Sequence, residues 1–260
     1  MPPDYRIDGF AAATERVADD FDFLTLSDDM YASLAAHHTS DGLESFLLLY
    51  DGAAIWDAPG AAEYVAIHIE RDPAQWTFTF DVTSQPTVPL AQRWLITRGC
   101  PAEVIEPDPL QSPRPADALT SRLEDQLRHN PGDRYTLLDH YTHNPGSSEG
   151  GIEVSALFYD AHPDAAEKPY RLFLEETSPS FATYTVREGA FPTAEAADGW
   201  LRNRDTPLPL PPRQPKNLTA RAAAARSRTT TTAAMSAQNP AQPGHTPATS
   251  IAPRSRGRRS

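Results

Sequence analysis

Alternation of apolar and polar residues marks out the strands of this chain. From Trp76 to Val82, Phe78, Phe80 and Val82 share one face while Thr77, Thr79 and Asp81 take the other. That is the period of two that a half-buried strand requires. Tyr64–Ile69 alternates in the same way, with Val65, Ile67 and Ile69 on one side. Ser45–Tyr50 is nearly all apolar, which in so short a run predicts a buried strand. Asp51-Gly52 signals a turn, and Ala53–Trp56 is read as a partner strand. Further on, Tyr135–Leu138, Ile152–Tyr159 and Tyr170–Glu175 are read as strands.

Helical spacing fills the intervals. Phe10 and Val17, seven apart, predict a short helix over 10–19. Ser27 is placed as an N-cap, with Asp28 and Asp29 where the helix dipole favours acids, and Met30, Tyr31, Leu34 and His38 follow at helical intervals. Thr87 caps a helix in which Leu90/Trp94 and Ala91/Leu95 are i,i+4 pairs and Gly99 is the stop. Asp117 caps another, with Leu119, Leu123 and Leu127 as its apolar stripe.

One stretch is written twice. Shifting Trp76–Arg98 by 106 residues, without a gap, aligns it with Ala182–Arg204, and eight of the 23 positions are identical. They include Thr77/Thr183, Pro86/Pro192, Thr87/Thr193, Trp94/Trp200 and Arg98/Arg204. Each copy therefore reads as strand, turn, capped helix and tryptophan. Met30, Leu34 and His38 also match Leu119, Leu123 and Leu127 at an offset of 89. The reading that follows is an α+β protein built by internal duplication of a helix–three-strand–helix module. Its sheets are antiparallel, its helices pack on one face, and the second copy has one further strand. The expected boundaries are an N-terminal extension over 1–26, the first repeat over 27–99 and a Pro-rich linker over 100–116. The second repeat covers 117–206 and a disordered tail 207–260. This order resembles that of small bacterial α+β adaptors such as peptide-binding secretion chaperones and toxin-immunity proteins. The likeness is one of element order and gives no residue a role.

Charge changes the picture only at the tail. Nine of the 23 Lys and Arg lie in residues 213–260, whereas all 35 Asp and Glu precede it, so the body carries −21 and the tail +9. An acidic body repels nucleic-acid phosphates and suits a basic partner. Arg254, Arg256, Arg258 and Arg259 are the candidates for weak, salt-sensitive phosphate contact. The single cysteine, Cys100, excludes an intrachain disulfide and fits a reducing cytoplasm. Met1–Arg6 lacks the basic-then-apolar pattern of a secretory leader, and no apolar run is long enough to span a membrane.

Candidate chemistry is sparse. His140 and His143 have a metal-like spacing, but on a strand their rings point to opposite faces. His37-His38 is read as a cationic helix end, and Glu153 with Glu175-Glu176 as a chance carboxylate pair. Nucleophile elbows, phosphate loops and zinc-protease motifs are missing from the sequence. Trp94 and Trp200 carry two readings, core anchors of the repeated helices or residues at a partner groove. The expectation is a non-catalytic cytoplasmic binding protein without metal or cofactor. It engages a basic protein or peptide through a sheet face or the seam between copies, with nucleic-acid contact through the tail as the alternative.

Overall fold

The computed structural model describes residues 3–54, 60–109, 112–143 and 151–211. Its first half contains β1 (Ala11–Ala12), α1 (Glu15–Thr25), β2 (Tyr31–His38), β3 (Glu44–Asp51), β4 (Tyr64–Asp72), β5 (Thr77–Gln85) and α2 (Val88–Ile96). The second half follows the same order with β6 (Arg114–Pro115), α3 (Ala118–His129), β7 (Tyr135–His143), β8 (Glu153–Asp160), β9 (Tyr170–Thr177), β10 (Thr183–Phe191) and α4 (Ala194–Arg202). Each half forms a five-stranded sheet, in the orders β1-β5-β4-β3-β2 and β6-β10-β9-β8-β7. The four long strands of each are antiparallel, while β1 and β6 run parallel to β5 and β10. The protein has mixed α/β content, and the two sheets match even in a register shift between Ser33 and Ala35 in β2 and between Leu137 and Asp139 in β7.

The helix expected after Ser27 is a strand. Met30, Leu34 and His38 are four apart, an interval that satisfies a period of two as well as 3.6. Pairing with β3 then decides the matter, since β2 supplies its outer neighbour. The true first helix starts later than the one expected over 10–19. Thr14 caps it, accepting from the Val17 amide at 3.2 Å, and Phe21 and Leu24 are its buried residues. The match at offset 89 therefore falls away, and both halves have four long strands. Residues 1–26 are not an extension, because they carry β1 and α1 of the first sheet. Arg71 ties them down from β4. It is 7% exposed, and its guanidinium donates to the Tyr5, Arg6 and Gly42 carbonyls and to Ser45 Oγ.

Helices cover both faces of each sheet, not one. In β3, Leu47 and Leu49 pack with Phe21 and Leu24 of α1, whereas Phe46 and Leu48 pack with Ala91 and Leu95 of α2. Both covers explain why the run Phe46–Leu49 is buried throughout. In the second sheet, Ala156, Phe158 and Phe173 face α3, while Leu157 and Leu172 face α4. The layers are thus α1, first sheet, α2 with α3, second sheet, α4. Leu90 of α2 joins the α3 cluster, and Arg128 Nε donates to Gln92 Oε1 at 2.7 Å, which joins the halves.

The expected linker is partly core. Cys100 and Ile105 are buried against α2, and Gln92 Nε2 donates to the Ile105 carbonyl at 2.8 Å. Residues 207–211, expected in the tail, start as packed chain: Leu208 joins the α4 cluster and the Ala190 amide donates to the Pro209 carbonyl at 2.8 Å. The expected strand Ala53–Trp56 lies partly outside the described residues, and so does everything expected of residues 212–260.

Candidate functional site

The central layer contains a cavity of about 830 Å³ at the seam between the halves. Leu34, Tyr50 and Tyr64 of the first sheet form one wall, and Glu175, Thr177 and Tyr184 of the second sheet form the opposite one. Helix α3 contributes Glu124 and Arg128, and Pro107, Pro109, Pro113 and Pro115 of the connecting segment close the side. Such a size and mixture of aromatic and convergent polar groups suits a ligand site.

Strand parity and helix phase put the acids there. In β9, Phe173, Glu175 and Thr177 share the face turned to α3, and Val186 of β10 lies opposite Glu175. The buried stripe of α3 is Thr120, Leu123, Glu124 and Leu127: Leu123 and Leu127 are buried as expected, but Leu119 is exposed and Thr120 is buried in its place. Thr120 takes the inner place because its hydroxyl is used on both sides. It donates to Asp117 at 2.9 Å and accepts from the Val186 amide at 3.1 Å, beyond the end of short β6. That phase turns Glu124 inward, where the Tyr184 hydroxyl donates to its carboxylate.

Burial, and then the nearby charges of Glu124 and Glu63, raise the Glu175 carboxyl to about 8. Burial also raises Glu124, against the pull of the Tyr184 hydrogen bond and the Arg128 charge. The phenols of Tyr64 and Tyr184 are pushed far up, first by burial. At neutral pH the cavity therefore holds one carboxylate-rich pole in which Glu175 keeps its proton. Its lining sets four acids, Glu106, Glu124, Asp125 and Glu175, against two cations, Arg114 and Arg128, and Arg128 is already committed to Gln92 and Asp125.

A second, smaller cleft of about 350 Å³ lies between α4 and β7, floored by Leu157, Leu172 and Leu201. His143, Asp139 and Glu153 stand at its rim. His140 also borders the cleft, but it pairs with Ala156, on the α3 side of the sheet, and its ring lies near the backbone of Ala61. The two histidines thus do not converge. Cys100 is equally unsuited to chemistry, since burial pushes its thiol up to about 12. Glu175 and Glu176 point to opposite faces of β9, so the two carboxylates brought together are Glu153 and Glu176, directly opposite one another across β8 and β9.

Neither Trp94 nor Trp200 lines the seam cavity. Both pack against core clusters at the ends of α2 and α4, partly rather than fully buried. Arg98 stacks 3.5 Å above the Trp94 ring, and Arg204 sits 5.5 Å from the Trp200 ring, whose indole N–H donates to the Thr206 carbonyl at 3.0 Å. Arg254, Arg256, Arg258 and Arg259 lie outside the described residues. Among the described residues, Glu44, His68 and Glu70 are a group able to hold a metal ion, with donor atoms all within 4.8 Å of one another.

Of the seam residues, Glu175 stands out in the sequence only as part of a chance carboxylate pair, while Glu124 and the tyrosines, drawn from positions as far apart as 50 and 184, carry no expectation of a site. A local signal existed, because Glu175 has the parity of Phe173 and Glu124 sits beside Leu123. No helix among the described residues is long and apolar enough to cross a membrane. No protein-family model matches the chain, and comparison with curated proteins and with solved structures returns no match.

Proposed function

We propose that this chain is a non-catalytic binding protein whose seam cavity receives a cationic side chain, arginine or lysine, from a protein or peptide partner. The observation that carries this is Glu175, whose carboxyl beside Tyr64 and Tyr184 is raised to about 8 by burial first and then by the charges of Glu124 and Glu63. A carboxyl held protonated by burial, with like-charged neighbours adding to the effect, ionises when a cation arrives, so charge pairing offsets both desolvation and repulsion. The tyrosine rings supply faces on which a guanidinium stacks. Titrating the full chain with short peptides that differ only in a central Arg, Lys, Gln or Glu tests this. Binding of the basic peptides, weakened about tenfold or more in both Glu124→Gln and Glu175→Gln, is expected. No binding, or equal binding of the Gln and Glu peptides, refutes it.

The two halves are read as copies of one ancestral module. Support comes from the shared element order, the shared sheet order and the register shift at the same place in β2 and β7. Thr87 and Thr193 precede the equivalent helices, although only Thr193 accepts a capping hydrogen bond.

A further inference from the structure

The two sheets share a pair of opposed glutamates but differ in what lies beside it. In the first sheet Glu44 lies directly opposite Glu70, and in the second Glu153 lies directly opposite Glu176. Like charges facing each other across adjacent strands destabilise a sheet unless something neutralises them. The second sheet supplies its own cation. Arg204, four residues after Trp200, forks onto both oxygens of Glu153 at 2.5 and 2.6 Å. The equivalent Arg98 of the first sheet is turned elsewhere. It bonds Asp81 at 3.4 Å and stacks on Trp94. Beneath the pair, the second sheet has Leu174, opposite Ser155, and the first has His68, opposite Phe46.

His68 is 6% exposed, and its ring lies parallel to Phe46 at 4.6 Å, which fixes the imidazole plane. Its Nε2 is hydrogen-bonded to Glu44 Oε1 at 3.3 Å, a contact that a metal ion would replace. Two ligand atoms on a tetrahedral zinc ion are separated by about 3.4 Å, given metal–ligand bonds of about 2.1 Å. The spacing is thus already that of two ligands on one ion. Glu70 is exposed at the rim, so its carboxylate can swing into the remaining distance without disturbing packed neighbours.

We propose that Glu44, His68 and Glu70 form a site for one divalent first-row transition-metal ion, which takes the place that the Arg204 guanidinium holds in the second sheet. One imidazole and two carboxylates, with open positions for water, suit zinc or manganese. The ion would clamp β3 to β4 at the end of the sheet remote from the seam cavity's Tyr50–Tyr64 pair.

The test is calorimetric titration of the chelator-treated full chain with zinc chloride and with manganese chloride, alongside thermal melts. One saturating equivalent is expected, with a rise in Tm. Glu70→Gln should weaken binding about tenfold or more, and His68→Leu, which installs the residue type of the second sheet, should abolish it. Glu176→Gln should change nothing. Glu70 is exposed, so its variant keeps the test valid if His68→Leu fails to fold. No saturable binding of either metal, or binding equally strong in Glu70→Gln and wild type, overturns the proposal.

Discussion

Replacing Glu175 by glutamine should flatten the dependence of stability on pH above neutrality. The Glu175 carboxyl is raised from its ordinary 4.5 to about 8 by burial, and secondarily by Glu124 and Glu63. A folded-state pKa above the unfolded one means that folding favours the protonated form. The stability this contributes is whole below 4.5 and is lost as pH rises through about 8. At about 1.4 kcal/mol per unit, the full loss is about 5 kcal/mol, of which about 3 falls between roughly pH 6 and pH 9. Glu175 lines a cavity and shares its field with Glu124, so screening reduces that span to about 1–2 kcal/mol. For a body of this size the corresponding fall in Tm is about 3–6 °C. Thermal unfolding followed by circular dichroism at both pH values, on wild type and Glu175→Gln, measures it. Wild type should lose those degrees and the variant should keep them, with the two most alike in acid. Parallel losses in the two proteins would refute the burial assigned to Glu175.

Three other outcomes follow from the packing. Trp94→Ala and Trp200→Ala should each cost about 1–3 kcal/mol in urea unfolding, less than a fully buried indole, and a loss near zero in both would return them to the candidate binding surface. Asp160 is 2% exposed and holds Arg134 at 2.6 and 2.7 Å and Arg171 at 3.0 Å, so Asp160→Ala should cost about 3–5 kcal/mol by removing the carboxylate that two inward guanidinium groups share. An unchanged midpoint would mean that water replaces the carboxylate. Residues 1–212 should melt as the full chain does and should lack any salt-sensitive DNA or RNA binding that the full chain has; equal binding by both removes the tail arginines as the cause.

Strands β3, β4 and β5 and helices α2, α3 and α4 are legible in the sequence because alternation, caps and stops agree with their tertiary roles. Strand β2 was not, since residues four apart satisfy both periods and only its partner β3 decides between them. Strands β1 and β6 have two residues each and exist through pairing with β5 and β10, which no local pattern encodes. Burial on both faces of Phe46–Leu49 was the available sign that helices cover each sheet twice. The seam site needed the layer order, because Tyr64 and Glu175 face one another only when α2 and α3 pack between the sheets. Likewise, Glu44 and Glu70 become opposed only once the β3–β4 register is known.

Proton release on binding tests the central claim most directly. Glu175 near 8 is about nine-tenths protonated at pH 7. A cationic side chain entering the seam should expel that proton. Calorimetry of an Arg-bearing peptide in buffers of different ionisation enthalpy should therefore show about one proton released per peptide at about pH 7, and almost none at about pH 9.5 or in Glu175→Gln. Binding without proton release at neutral pH, or with the same release in Glu175→Gln, would contradict the account.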